Sequence, residues 1–351
     1  MYEPLADTII SGEAEYIWRQ FCNDFENGVP NKLYVEKGIV DLKDSPVPRY
    51  DLLKLHKYRG ISMQFSRGCP FNCEFCDIIV MFGRKHRTKC VNQIQAELDL
   101  LRKLNVNNVF FVDDNLIGNK KNAIELFEFL YEYNNQLKYK FHFSTEVSLN
   151  IAYNDKLISL MAKSGFEWVF VGIETTNEES LKETGKFQNM LQDIVFSIRK
   201  IYSYGVDVLG GFIIGFDHDK VDIFQKQFKL ILNTGIQTAM IGLLVAPPKT
   251  RLYERLIIEN RIIKENDVVE NTKLSTNIIP KIMSFDEMIN GYRKLYKSLY
   301  TSKMISQKIK NKVEFMKKPL FDYYESKLKG LKILWNLLFF GILPGGAVRI
   351  L

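Results

Sequence analysis

Three cysteines lie close together in the sequence, at Cys69, Cys73 and Cys76, with the spacing C-x3-C-x2-C. Thiolates are ligands that iron–sulfur clusters use in proteins. Three of them could bind three irons of a four-iron, four-sulfur (4Fe-4S) cluster. Because no fourth cysteine joins the group, one iron would stay open to another ligand. A cluster that only transfers electrons normally has four cysteine ligands, so the spacing predicts chemistry at the open iron.

Zinc and disulfide bonds are the alternative uses of these cysteines. Structural zinc needs four protein ligands, and the nearest candidate for the fourth is His86, ten residues after Cys76. Five cysteines in 351 residues, behind an N-terminus without a secretory pattern, favour free thiols over a disulfide framework. We therefore expect a cytoplasmic protein in which Cys22 and Cys90 are ordinary thiols.

The positive charge is concentrated in the C-terminal tail. Residues 301–351 hold 10 Lys and Arg against 3 Asp and Glu, which accounts for the net charge of +7. The first 300 residues are balanced at 38 of each sign, so no nucleic-acid-binding surface is expected there. The tail is either a solvated helical face or a contact for an acidic partner or an anionic membrane surface. No apolar run is long enough to predict a spanning helix.

Short β-rich runs alternate with amphipathic helical segments between residues 61 and 246. The helical stripes Ile94/Leu98/Leu101 and Ile124/Phe127/Tyr131 are expected to face the core. Six β–α alternations predict parallel strands with right-handed crossovers, in either a doubly wound sheet or a barrel. The predicted strands are 61–65, 108–112, 139–144, 168–171, 206–214 and 240–245.

Polar residues or glycines follow the ends of these strands or interrupt them. The carboxyl ends of parallel strands meet at one edge, where barrels of this kind place their active sites. The candidate residues, in chain order, are Asp113, Asp114, Asn115, Glu146, Glu174, Gly210 and Gly211. We therefore expect these positions to converge with the cysteine loop at one rim.

The segments SRGCPFNCEFCDI (66–78), FVDDN (111–115) and FVGIE (170–174) resemble the radical S-adenosylmethionine (radical SAM) superfamily. Within it the sequence is most similar to proteins that carry a cobalamin-binding domain, in the branch that includes hopanoid methylases. The resemblance implies an α/β fold, a partial (β/α)6 TIM-like barrel with a C-terminal helical appendage. It also implies a 4Fe-4S cluster on the three cysteines, with SAM bound to the open iron through its amino and carboxylate groups.

The resemblance also suggests roles for the rim residues. Asp113, Asp114 and Asn115 would hold the methionyl amino group of SAM, and a helix-capping turn is the alternative. Glu146 and Glu174 would face the ribose or the ammonium, or else form structural ion pairs. Gly210, Gly211 and Phe75 would lie along the adenine, although the alternative for Phe75 is loop packing.

Three regions are predicted: a remnant of a cobalamin-binding domain with its linker (1–58), the barrel (59–283) and a C-terminal helical domain (284–351). The resemblance implies reductive cleavage of SAM to a 5′-deoxyadenosyl radical for C–H functionalisation. Cobalamin-linked methylation of a lipid-like substrate, with a reductase as electron donor, would be the parent reaction. A non-catalytic iron–sulfur electron-transfer or scaffold protein is the alternative. The segment 244–253 departs from the branch at Lys249, where glycine is usual.

Overall fold

The computed structural model describes residues 5–190, 193–263, 275–321, 331 and 334–335. The strands are β1 (Ile9–Ser11), β2 (Leu33–Val35), β3 (Ile61–Met63), β4 (Ser66–Arg67), β5 (Arg87–Thr88), β6 (Asn108–Phe111), β7 (His142–Glu146), β8 (Phe166–Glu174), β9 (Asp207–Ile214) and β10 (Ala239–Leu243). The helices are α1 (Ala14–Glu26), α2 (Ile78–Met81), α3 (Val91–Lys103), α4 (Lys120–Asn135), α5 (Asp155–Lys163), α6 (Glu178–Glu183), α7 (Phe187–Met190), α8 (Ile194–Tyr202), α9 (Ile223–Thr234), α10 (Arg251–Ile258), α11 (Phe285–Leu299) and α12 (Ser302–Val313).

Six strands form one parallel sheet in the order β10-β9-β8-β7-β6-β3. Each neighbour pair is parallel, as successive β–α units require. Within the described residues β10 and β3 do not pair with each other, so the sheet stays open on one side. This is the partial TIM-like barrel that was predicted, and all six strands are confirmed with small shifts at their ends.

The helices cover the outer face of the sheet because alternate strand residues are apolar. Val109 and Phe111 of β6 and Val169 and Val171 of β8 are buried in the same core as the helices. The predicted stripe of α3 is confirmed, with Ile94, Leu98 and Leu101 fully buried. The stripe predicted for α4 is wrong at one position, Tyr131. Tyr131 is 39% exposed and Leu130 takes its place in the core, because the helix turns 100° per residue.

A small N-terminal unit precedes the barrel. In this unit, residues 9–35, strands β1 and β2 pair in parallel around α1 as one β–α–β element. It lies in the region predicted to be a remnant of a cobalamin-binding domain. The hairpin of β4 and β5 comes next, and it encloses the loop that carries the three cysteines. The barrel and this unit therefore meet beside the cysteine loop.

The C-terminal helices α11 and α12 lie on the barrel beside α9. Lys312 of α12 pairs with Asp207 at the start of β9, with Nζ and Oδ2 2.5 Å apart. Most of the predicted basic tail beyond residue 321 lies outside the described residues. Among those that are described, no helix is long and apolar enough to cross a membrane. Lys249 has a φ of +68°, so lysine occupies a left-handed turn position that glycine fits with less strain.

Candidate active site

The cysteine loop is fixed at its base by the β4–β5 hairpin. Ser66 pairs with Thr88 in this hairpin. Gly68 follows with a φ of +86°, and a Cβ there would lie 2.6 Å from the carbonyl oxygen of Lys85. Only glycine fits so close to the returning strand. The backbone N–H of Cys69 then donates to the carbonyl oxygen of Gly83 across 3.4 Å, which closes the loop.

The three thiols are partly withdrawn from water. Cys73 is buried, whereas Cys69 and Cys76 are half-buried. Burial raises the pKa of Cys69 and raises the pKa of Cys76 to about 12. The backbone N–H groups of Phe71 and Ile78 act in the opposite direction, because they stabilise the thiolates of Cys69 and Cys76. Bound iron would supply the positive charge that holds these sulfurs as thiolates. The donor set of three sulfurs with N–H donors therefore fits an iron–sulfur cluster.

The geometry does not favour zinc. In the described part of the chain, no three His, Cys, Asp or Glu side chains are grouped closely enough for one metal ion. His86, the candidate fourth ligand, lies at the neighbouring rim loop instead, where its Nε2 is 3.2 Å from the carbonyl oxygen of Asn115. Nε2 of this ring is therefore engaged away from the cysteine loop, while Nδ1 is buried without a hydrogen-bond partner among the described residues.

Asp113 joins two strand ends. Its carboxylate accepts hydrogen bonds from the backbone N–H of Phe65 (3.1 Å) and from the backbone N–H and hydroxyl of Ser66. It is 1% exposed, and burial raises its pKa to about 7. This side chain ties the end of β6 to the hairpin that starts the cysteine loop.

Among the described residues, neither Asp114 nor Glu146 has an ion pair, and both carboxyl groups lie at this rim. Burial raises the pKa of Asp114 to about 6, and repulsion from Asp77 adds to it. Burial, repulsion from Asp114 and then repulsion from Glu174 raise the pKa of Glu146 to about 7. A cation brought close to both groups would stabilise their ionised carboxylate forms.

Glu174 forms an ion pair, the alternative that the sequence left open, with a partner that the sequence did not name. A bulge in β8 gives it a φ of +66°, and its Oε1 lies 2.6 Å from Nζ of Lys186. Burial opposes the charge on Lys186, but attraction to Glu174 and to Cys73 outweighs it and raises the pKa of Lys186. The lysine also lies 5.9 Å from the centre of the Phe75 ring. No spacing pattern in the sequence marks Lys186.

The two glycines of β9 face opposite sides of the sheet. A Cβ on Gly210 would meet Phe212, Ile236 and Ile173, so this glycine faces the apolar layer beneath the helices. Gly211 lines a cavity of about 590 Å³ together with Phe75 and Glu174. Of the pair, Gly211 is therefore the one on the side of the cavity, and the glycine makes space for the ring of Phe170, since a Cβ there would lie 2.7 Å from that ring.

Asn115 joins the loop after β6 to the loop after β7. Its side-chain oxygen accepts hydrogen bonds from the backbone N–H and the hydroxyl of Ser148, both at 3.3 Å. The structure therefore brings the cysteine loop, the pair Asp114 and Glu146, and Glu174 to one rim. The side chains of Asp113 and Asn115 hold that rim together, whereas Gly210 faces the apolar layer. The contacts with SAM predicted for these three residues stay predictions.

Comparison with known proteins agrees with this geometry. The sequence model of the radical SAM superfamily matches residues 63–231, and that of a domain of unknown function, DUF4070, matches residues 250–344. The chain is 40% identical over 296 residues to an uncharacterized methyltransferase of Synechocystis sp., which covers 84% of this chain and 55% of the relative. It is 38% identical over 275 residues to the hopanoid C-2 methylase of Rhodopseudomonas palustris, covering 77% of this chain and 52% of the relative.

A solved structure gives the same fold. The cobalamin-dependent S-adenosylmethionine radical enzyme OxsB superposes with a TM-score of 0.63 at 16% identity, over 82% of this chain and 50% of that chain. The chain spans about half the length of the two curated relatives above. The match of the superfamily model covers the cysteine loop, the four barrel strands β6 to β9 and the last residue of β3. From its sequence and its fold, the chain belongs to the radical SAM superfamily.

Proposed function

We propose that this chain is the radical SAM core of an enzyme that functionalises a C–H bond of an apolar, lipid-like substrate, with cobalamin-linked methylation as the reaction. The observation that carries the proposal is the three-cysteine loop beside a cavity whose wall is mostly apolar. When bound, the cluster supplies the electron that cleaves SAM to methionine and a 5′-deoxyadenosyl radical. The remaining roles belong to side chains of this chain.

The rim offers a set of groups suited to SAM. Cys69, Cys73 and Cys76 would hold three irons and leave the fourth open. Ionised Asp114 and Glu146 can accept hydrogen bonds from the methionyl ammonium, which needs acceptors and finds carboxylates. On the opposite wall, the ring of Phe170 packs over Gly211 of β9, and a planar base could stack against this part of the cavity wall. These assignments support SAM binding with its sulfonium end toward the cysteine loop.

The cavity suggests the class of substrate. It extends from Phe75 and Gly211 to Met240 of β10 and Tyr296 of α11, which are 59% and 48% exposed. Among the described residues that line the cavity, Glu174 is the only charged one, and its carboxylate is paired with Lys186. A wall of this kind fits a neutral, largely apolar molecule. The names of the relatives, a methyltransferase and a hopanoid methylase, point to the same chemistry.

Cobalamin needs a larger domain than the N-terminal unit. The N-terminal unit is a single β–α–β element, and about thirty residues are too few to enclose a corrinoid by themselves. We propose that cobalamin, if it takes part, is held by this unit together with a further α/β domain. We also propose that a reductase supplies the electrons and that the protein is cytoplasmic. Its basic tail would make a peripheral contact with a membrane.

The test is anaerobic reconstitution with iron and sulfide, reduction, and addition of SAM, followed by measurement of 5′-deoxyadenosine. The wild-type chain is expected to form it, Cys73→Ala is expected to lose it, and Cys22→Ala is expected to retain it. A cluster that forms but never cleaves SAM would favour the electron-transfer alternative. Methylation is tested separately, by adding cobalamin and a hopanoid and looking for a product heavier by one methyl group.

A further inference from the structure

Glu74 lies inside the cysteine loop, one residue after Cys73, yet it is buried at 5% exposure. Its carboxylate is bound by Arg255 of α10, with Oε1 and Nε 2.6 Å apart. Its backbone is held as well: the N–H of Glu74 donates to the carbonyl oxygen of Thr184 across 2.7 Å, and its carbonyl oxygen accepts from the N–H of Leu252 across 3.1 Å. The segment between Cys73 and Cys76 is thus fastened from outside the loop.

Arg255 binds three further carboxylates with the same guanidinium: one is Glu259, four residues on in its own segment and 3.1 Å from Nη1, and the other two lie on different rim loops. Nη1 lies 2.7 Å from Asp217, in the loop after β9, and Nη2 lies 3.1 Å from Glu183, at the end of α6. A second arginine, Arg261, braces Asp217 from the other side at 2.5 Å. One planar cation therefore joins the cysteine loop to two other rim loops, which a lysine with a single nitrogen cannot do in the same geometry.

We propose that Arg255 is a positioning residue for the iron–sulfur cluster, acting through Glu74 on the segment between Cys73 and Cys76. The inference rests on the proposed function, since it presumes a cluster on these cysteines. Arg255 lies in the DUF4070 match, outside the radical SAM match. The first helix of that second region thereby gains a role, which is to hold the cysteine loop of the barrel in place.

The positive charge of Arg255 balances the buried negative charge of Glu74. Without Arg255, the carboxylate of Glu74 would lose its cation while it stays buried beside the cysteines. The loop would then either open to hydrate that carboxylate or keep an uncompensated negative charge near the cluster. An open loop exposes Cys73, and an uncompensated charge makes the cluster harder to reduce. Both consequences can be measured, and the first needs no cluster.

The first experiment uses the full chain without iron and measures the rate at which iodoacetamide alkylates Cys73. Arg255→Met is expected to raise that rate several-fold, and Arg255→Lys is expected to recover part of the protection. Arg251→Met is the matched control because Arg251 is exposed at the start of the same helix. Glu74→Gln is expected to resemble Arg255→Met, and it serves if that variant fails to fold.

The second experiment uses the reconstituted protein and measures the midpoint potential and the electron paramagnetic resonance spectrum of the reduced cluster. Arg255→Met is expected to shift the potential to more negative values, to change the spectrum and to slow SAM cleavage about tenfold or more. In the Glu74→Gln background, the same substitution should add little, because Arg255 acts through Glu74.

Two results would overturn the inference. One is that Arg255→Met matches Arg251→Met in both alkylation and potential. The other is that the effects of Arg255→Met and Glu74→Gln simply add, which would place the action of Arg255 elsewhere. A wild-type protein that holds a cluster but does not cleave SAM would count against the proposed function alone, because the alkylation and potential measurements would still decide the role of Arg255.

Discussion

The barrel and the N-terminal unit use similar β–α elements but are stabilised in different ways. The barrel has one continuous apolar core, in which Phe111, Phe143 and Phe166 pack with ring centres 5.5 to 5.9 Å apart. The N-terminal unit also buries the apolar side chains of Ile17 and Tyr34, but neither belongs to the core of the barrel.

The N-terminal unit is fastened to the cysteine hairpin by charge. Glu13 accepts hydrogen bonds from both terminal nitrogens of Arg87 at 2.8 Å and from Arg67 at 3.1 Å. Glu15 pairs with Arg67 at 2.6 Å. Apolar burial tolerates changes in pH and salt, whereas an attachment made of ion pairs does not. The two regions should therefore respond differently to the same disturbance.

The largest effect is expected from Phe111→Ala in the core of the barrel. The ring is fully buried, and its loss leaves a cavity among other rings, so the free energy of unfolding should fall by about 3–5 kcal/mol. Chemical denaturation measures this change. Phe25→Ala is the matched control, since Phe25 is 64% exposed in the N-terminal unit, and a loss below about 1 kcal/mol is expected there. Equal losses of unfolding free energy in the two variants would show that the buried core of the barrel contributes no more to stability than an exposed ring of the N-terminal unit.

A smaller and more local effect is expected from Glu13→Gln. The amide keeps the size of the side chain but leaves Arg87 and Arg67 with one anion fewer, and breaking such a buried network costs roughly 3 kcal/mol. That cost should appear as local opening of the N-terminal unit, so hydrogen exchange should quicken in α1 and stay unchanged in β8. Glu26→Gln, at the exposed end of α1, is the control. Faster exchange in β8 would mean that the unit and the barrel open together.

The sequence predicted the six strands and the rim because these follow from local patterns. Buried parallel strands are β-rich and apolar, and residues at their carboxyl ends must converge whatever else the chain does. In these places a short stretch of sequence contains all the information that the structure uses. For the N-terminal region, the resemblance suggested only a remnant of a cobalamin-binding domain, and that assignment stays a prediction.

The sequence did not predict which side chains would bind the carboxylates at the rim. Glu74 and Arg255 are 181 residues apart, and nothing near either residue specifies the other. The same holds for Asp113 and Ser66, 47 residues apart. Lys186 escaped notice because an isolated lysine after a short helix is usually solvated. These contacts depend on the three-dimensional meeting of loops, which periodicity and motif spacing do not encode.

The smallest effect is a difference in the sign of the pH dependence of the two regions. Glu146 in the barrel has a pKa raised from 4.5 to about 7, chiefly by burial. The folded barrel therefore binds this proton more tightly than the unfolded chain does. Its contribution is fully present below about pH 4.5 and is lost as the pH rises through 7.

Glu13 behaves in the opposite way. Burial raises its pKa, but the hydrogen bonds from Arg87, Val40 and Arg67 outweigh burial and leave the pKa below 4.5. Its contribution is present above that value and is lost as the pH falls below it. Hydrogen exchange, corrected for its intrinsic pH dependence, should show β7 becoming less protected from pH 5 to 7.5 and α1 becoming less protected below pH 4.5. Glu146→Gln should flatten the first trend and Glu13→Gln the second. Trends of the same sign in both regions would contradict the distinction between an apolar core and a charged attachment.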